Sequence, residues 1–264
     1  MPFSFESYRN LKQRLGATGA LLELNHVAIA ELISAAKQSG SEKSYIESRA
    51  RTHGIHVQSS AFPEMLARIS QQSIVVLHAE WEHFLLEFKE ESRSESKDKA
   101  PWPQKEDGEN PLAYTVRSVD RANVGGEKAL GHFRMVLMDF FRLARNCAVH
   151  PIGERYEDYF EKSHSRITEC AEQIKNTYDT IPSQFVRFGI KELILYSRTI
   201  KDVALLLCLL ARPDDALLRR AVNHKRFNKF NNKERKRNAM IGELCTKYGL
   251  DKAEAAIVID SGAN

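Results

Sequence analysis

The chain has 264 residues, of which 42% are hydrophobic and 28% charged, with four cysteines and a formal net charge of +4. That length and balance suit a folded globular chain and exclude long-range disorder. The cysteines (Cys147, Cys170, Cys208, Cys245) never pair as C-x-x-C, the longest apolar run is only Val203 to Ala211, and the opening MPFSFESYRN lacks a signal-like apolar stretch. A reducing cytoplasm is therefore expected, with no disulfide framework, no structural zinc and no membrane partner.

Apolar residues recur at helical rather than alternating spacing, and hairpin signals are few, so the expected class is all-α. Residues 4–38 carry Leu21, Leu22, Leu24, Val27, Ile29, Leu32 and Ile33 at that spacing, with interruptions expected at Gly16 and Gly19. A short basic helix is predicted over 43–53. The next helix opens near Phe62-Pro63, where proline suits a first turn. It runs to about Glu90 on a stripe of Ile74, Leu77, Trp81, Phe84, Leu85 and Phe88. Residues 91–111, ESRSESKDKAPWPQKEDGENP, are charged and nearly free of aliphatics, and predict a surface loop. Gly125-Gly126 opens a helix over about 127–149, with Leu130, Phe133, Leu137, Phe140, Phe141, Ala144 and Ala148 on its apolar side; Pro151 closes it. A helix over 154–179 stops before Pro182, and a very apolar one over 190–211 ends at Pro213. Basic helical segments follow to about Tyr248, with Gly249 as a C-cap.

Long amphipathic helices with short connections predict an antiparallel bundle over 60–212, a helical N-terminal extension over 1–59 and a basic C-terminal helical segment over 213–264. Charge is concentrated in that last segment. Arg219 to Arg237 holds nine Lys or Arg against one acid, Glu234, which leaves the rest of the chain at −4. Such a segment points to a polyanionic partner, nucleic acid first. Lys225, Arg226, Lys229, Lys233, Arg235, Lys236 and Arg237 are the candidates for holding a phosphate backbone. Phe227 and Phe230 could stack on bases or anchor an amphipathic helix.

The chemistry is concentrated in FFRLARNCAVHPIG, Phe140 to Gly153, which sets Arg145, Asn146 and His150 in an R-N-x-x-x-H arrangement. The bare spacing recurs at Arg51/His56, Arg49/His56 and Arg219/His224. Only Arg145 is followed by Asn and stands at the end of a long apolar helix. Five positions along an unbroken helix turn about 500°, which would leave Arg145 and His150 about 140° apart. His150 precedes Pro151, so the helix is expected to end at about Val149 and free His150. Histidine suits proton transfer near neutral pH, and the arginine fork suits charge developing on phosphoryl oxygens. Asn146 could orient His150 or bond phosphate or ribose.

This arrangement resembles the R-x(4–6)-H signature of the HEPN superfamily of helical-bundle ribonucleases, with a polar residue after the Arg. The stretch VVLHAEWEHFLLEF, Val75 to Phe88, is similar to the helix that opens the bundle in a broad HEPN subgroup. The resemblance implies a HEPN-like bundle and a metal-independent endoribonuclease with no cofactor. It further implies a homodimer in which Arg145 and His150 from two subunits face one cleft. RNA would be cut by its own 2′-OH, leaving 2′,3′-cyclic phosphate and 5′-OH ends. Family members act in toxin–antitoxin and antiphage systems, so an antitoxin or defence-complex partner is expected. Some HEPN toxins carry a Tyr two residues after the His; here Ile152 stands there.

Glu82 shares a helix face with Val75, Ala79 and Leu86, and would either pair with Arg142 or Arg145 or reach water at the stripe's edge. Cys147 and His150 lack a second ligand pair, and no G-x-S-x-G elbow, phosphate-binding glycine loop or two-metal carboxylate pair occurs. Two other functions fit the same residues. One is a non-catalytic RNA- or DNA-binding scaffold using the basic segment. The other is a DNA-binding regulator with helix–turn–helix over 235–258 and Gly249 at the turn.

Overall fold

The computed structural model describes residues 3–57, 62–96, 101–120, 124–150, 154–222 and 224–261. Within these residues all regular structure is helical. In chain order the α-helices are α1 Glu6–Gln38, α2 Glu42–Thr52, α3 Phe62–Ser94, α4 Pro111–Val119, α5 Gly126–Leu130 and α6 His132–Val149. There follow α7 Glu154–Glu169, α8 Ala171–Tyr178, a 3-10 turn at Phe185–Arg187, α9 Ile190–Leu210, α10 Asp215–Ala221, α11 His224–Phe227, α12 Lys233–Tyr248 and α13 Lys252–Asp260.

The chain divides into two compact units, one of Met1–Gln13, Trp81–Met135 and Ile200–Asn264, the other of Arg14–Glu80 and Val136–Thr199. The divisions fall inside α1, α3, α6 and α9, so the units interleave along the chain. Residues 3–13 are packed into the first unit. Phe3 and Phe5 are fully buried in the first unit, Phe3 stacked on Tyr248 at 5.6 Å, and the Ser4 N–H donates to the Tyr248 carbonyl at 2.8 Å. The Glu91 carboxylate accepts the Glu6 and Ser7 N–H groups at 2.8 and 2.9 Å. It thus serves the orphan donors at the start of α1 from another helix.

The second unit is built on aromatics of α6, α7 and α9. Phe140 meets Phe160 at 4.9 Å and Phe141 stacks on Tyr196 at 4.3 Å. Ala36 and Ile46, with Leu32, Ile33, Tyr45, Val57 and Met65 around them, form a smaller cluster that joins α1, α2 and the start of α3.

Several predicted elements change. Gly16 and Gly19 do not interrupt α1; each costs the helix about 1 kcal/mol, which its anchored ends outweigh. α1 is also long and apolar enough to cross a membrane by length and composition, and little of its apolar window is buried. Counting unbroken apolar runs does not register it, because Glu23, Asn25, His26 and Glu31 divide the stretch. The predicted 127–149 helix breaks at Gly131, whose φ is +81°; a Cβ there would lie 3.1 Å from Arg134 and 3.3 Å from Phe133. The 154–179 helix is divided at Cys170 into α7 and α8.

The 91–111 loop is shorter than predicted, since α3 runs on to Ser94 and α4 starts at Pro111 behind Asn110, whose side chain accepts the Leu112 N–H. Its described part is held by packing. Trp102 meets Phe88 and Tyr114 edge-on at 6.3 and 5.6 Å, and Lys89 lies over Trp102 and Tyr114.

Candidate functional site

The site forms where α6 ends, in the second unit. Val136, Leu137, Phe140, Phe141 and Ala144 are buried, which fixes the rotation of the helix and leaves Arg142, Arg145 and Asn146 half-buried along its flank. α6 ends at Val149. His150 is the first residue beyond it, exposed, and its N–H still donates to the Asn146 carbonyl at 2.8 Å. Arg145 Nη1 donates to Asn146 Oδ1 at 3.2 Å, so the amide side chain is turned to the guanidinium. Arg145, Asn146 and His150 thus occupy the last turn of α6 and the residue after it, as the position of Pro151 suggested. The segment 151–153, with Ile152, lies outside the described residues.

Arg142 donates from Nε and Nη2 to Asp139 Oδ1 at 3.0 and 2.8 Å, and Arg166 reaches Asp139 Oδ2 at 3.5 Å. Asp139 is thus a carboxylate partner of Arg142. Glu82 is exposed on α3, within the first unit.

Two buried polar residues of the second unit, His78 and Tyr196, were not singled out from the sequence. His78 of α3 is buried, and its Nδ1 lies 2.5 Å from the hydroxyl of Tyr196, which is fully buried on α9. Burial first, and then the positive charges of Arg145 and Arg142, push the His78 pKa down to about 4, so the ring is neutral near pH 7. The available signal was its place one turn after Ile74 on a buried stripe, where a polar ring requires a partner. Among the described residues, no three His, Cys, Asp or Glu side chains gather as metal ligands would.

The basic segment lies in the first unit, where α11 and α13 each pack on α12 and α13 also packs on α10. Phe227 is buried and stacks on Phe230 at 6.2 Å, so it is a packing anchor. Phe230 is half-buried, with Arg235 at 5.4 Å and Lys229 at 5.7 Å from its ring centre. Arg226, Lys229, Lys233 and Arg235 are exposed. Lys236 donates to Asn228 at 2.9 Å, and Arg237 makes a two-pronged pair with Asp260 at 2.7 and 2.5 Å that holds that carboxyl below its usual range. The side chain of Lys225 lies outside the described residues.

α12 and α13 are joined by Gly249, left-handed at φ 66°, then Leu250 and the capping Asp251. This is the turn expected of a helix–turn–helix, and a cavity of about 520 Å³ lined by Ile241, Cys245 and Leu250 lies beside it. The second helix, KAEAAIVID, carries no Arg, Asn or Gln to read base edges, and Ile257 is prominent on its exposed face. Basic charge sits instead on α11 and the start of α12. No protein-family model, curated protein or solved structure matches the chain.

Proposed function

We propose that this chain is a HEPN-type, metal-independent endoribonuclease, its helices forming a HEPN-like bundle. The observation that carries the reading is the end of α6. A half-buried arginine is bonded to its neighbouring asparagine, and a histidine stands exposed just past the last helical residue. Arg145 binds the scissile phosphate and stabilises charge on its non-bridging oxygens. His150 moves protons. The ribose 2′-oxygen forms a bond to phosphorus as its proton leaves to a base, the P–O5′ bond breaks, and the 5′-oxygen takes up a proton. Asn146 orients the Arg145 fork through its Oδ1. One histidine per chain supplies one proton-transfer group, and a homodimer with a composite site supplies the second. The exposed Arg226, Lys229, Lys233 and Arg235 hold the RNA backbone without choosing sequence.

By family analogy the protein acts in the cytoplasm as a toxin or antiphage effector, held in check by an antitoxin or defence-complex partner. The test is cleavage of total cellular RNA in EDTA by the wild type beside Arg145→Ala and His150→Ala, with product ends analysed for cyclic phosphate. A second reading, a non-catalytic nucleic-acid-binding module, is favoured by the exposed basic side chains on α11 and α12 alone. It requires RNA binding that His150→Ala leaves unchanged, with no cleavage by the wild type.

A further inference from the structure

His78 and Tyr196 form a hydrogen-bonded pair inside the second unit, where an aliphatic pair would fill the space without loss of hydration. His78 follows Ile74 by one turn on α3 and stands next to Leu77, both fully buried. Tyr196 reaches it from α9. On α6, Phe141 stacks on the Tyr196 ring with centroids 4.3 Å apart and planes at 21°. Phe141 and Arg145 are four residues apart, hence one turn apart on the same face of α6. The positive charge of Arg145 acts on the His78 ring, so the pair and the guanidinium are electrostatic neighbours. A satisfied buried polar pair tolerates one geometry, whereas an aliphatic pair tolerates several.

From this juxtaposition we infer that His78 and Tyr196 are positioning residues for Arg145: their hydrogen bond, passed on through the Tyr196–Phe141 stack, fixes the direction in which the last turn of α6 presents the guanidinium. The inference rests on the proposed function only where it reads Arg145 as the group that meets the phosphate. The pair touches no substrate. Its uncharged ring adds no third positive charge beside Arg142 and Arg145, and Arg145 Nη1 donates to Asn146 Oδ1 at 3.2 Å.

The experiment compares four variants of the full chain. Tyr196→Phe keeps the ring and its stack but removes the hydroxyl. His78→Asn sets an amide where Nδ1 stands and retains a partner for that hydroxyl. His78→Gln carries the same amide past that position, and His78→Leu removes it. Two readouts are taken on protein shown to be folded: the Arg145 Nε–H resonance without RNA, assigned with Arg145→Lys, and kcat and KM for RNA cleavage in EDTA. Tyr196→Phe, His78→Leu and His78→Gln are expected to displace or broaden the Arg145 resonance and to lower kcat about 10-fold with KM little changed. His78→Asn is expected to keep both near wild type. A merely structural pair would lower the folded fraction and leave kcat per folded molecule alone. A wild-type Arg145 resonance in folded Tyr196→Phe overturns the inference. Should Tyr196→Phe and His78→Leu unfold, the matched pair of His78→Asn and His78→Gln decides, and identical Arg145 resonances in those two overturn it. If the resonances follow the expected pattern while the wild type cuts no RNA, the nuclease reading fails and the positioning role stands.

Discussion

Protonating His78 in the folded chain means placing a positive ring in a buried site beside two guanidiniums, and its pKa of about 4 against an ordinary 6.5 records that cost. The unfolded chain carries no such penalty and binds the proton near pH 6.5. Between pH 6.5 and 4 the unfolded state therefore holds more protons, and stability falls as pH falls through that window. A difference of this size amounts to about 3 kcal/mol of stability, present at pH 7 and largely lost by pH 4. The perturbation that isolates it is His78→Asn, which keeps a partner for Tyr196 and removes the titration. Urea unfolding of both proteins at pH 7, 6, 5 and 4.5 gives two curves. The wild-type curve should fall more steeply, so that wild-type stability relative to His78→Asn drops by most of that amount at the acid end. Other carboxylates and histidines titrate in both proteins and cancel in the difference. An NMR titration of the His78 ring should find its midpoint near 4. Parallel stability curves, or a ring that titrates near 6.5, would refute the buried, cation-flanked placement of His78.

Glu91→Ala removes the acceptor of the Glu6 and Ser7 N–H groups and should cost about 2–3 kcal/mol in urea unfolding. Glu91→Gln, which keeps an acceptor, should cost less, and hydrogen exchange should rise first at the start of α1. Gly131→Ala forces a left-handed backbone and a close Cβ contact, and should lower stability by about 1–3 kcal/mol in the same assay. Replacing Lys229, Lys233 and Arg235 together by Ala should weaken single-stranded RNA binding and reduce the slope of log K against log salt by about 2. Replacing Arg237, already committed to Asp260, should change that slope little.

The helical class was legible because apolar spacing dominates every long segment, and Pro151 marked the end of α6 correctly. The break at Gly131 was not legible: one glycine in a helical pattern reads as tolerated, and only the packing of Phe133 and Arg134 around it reveals a left-handed turn. α4 was hidden by the loop before it, although Asn110-Pro111 carries the cap-then-proline signature of a helix start. Trp102 in a charged stretch was an available sign that the loop packs, which it does on Phe88 and Tyr114. The interleaving of the two units cannot be read from local pattern, because the divisions fall within continuous helices. At the candidate site the residues on α6 were visible as a motif in one segment. His78 and Tyr196 were not, since their meaning depends on contacts between α3, α9 and α6 that no single segment encodes.

RNA cleavage tests the proposed Arg145–His150 site most directly. The purified 264-residue chain is incubated with total cellular RNA in EDTA, beside Arg145→Ala and His150→Ala of equal folded fraction. Cleavage by the wild type, with 2′,3′-cyclic phosphate ends and a loss of at least about 100-fold in each variant, is the expected result. Variants that cut as fast as the wild type would contradict the assignment of the site.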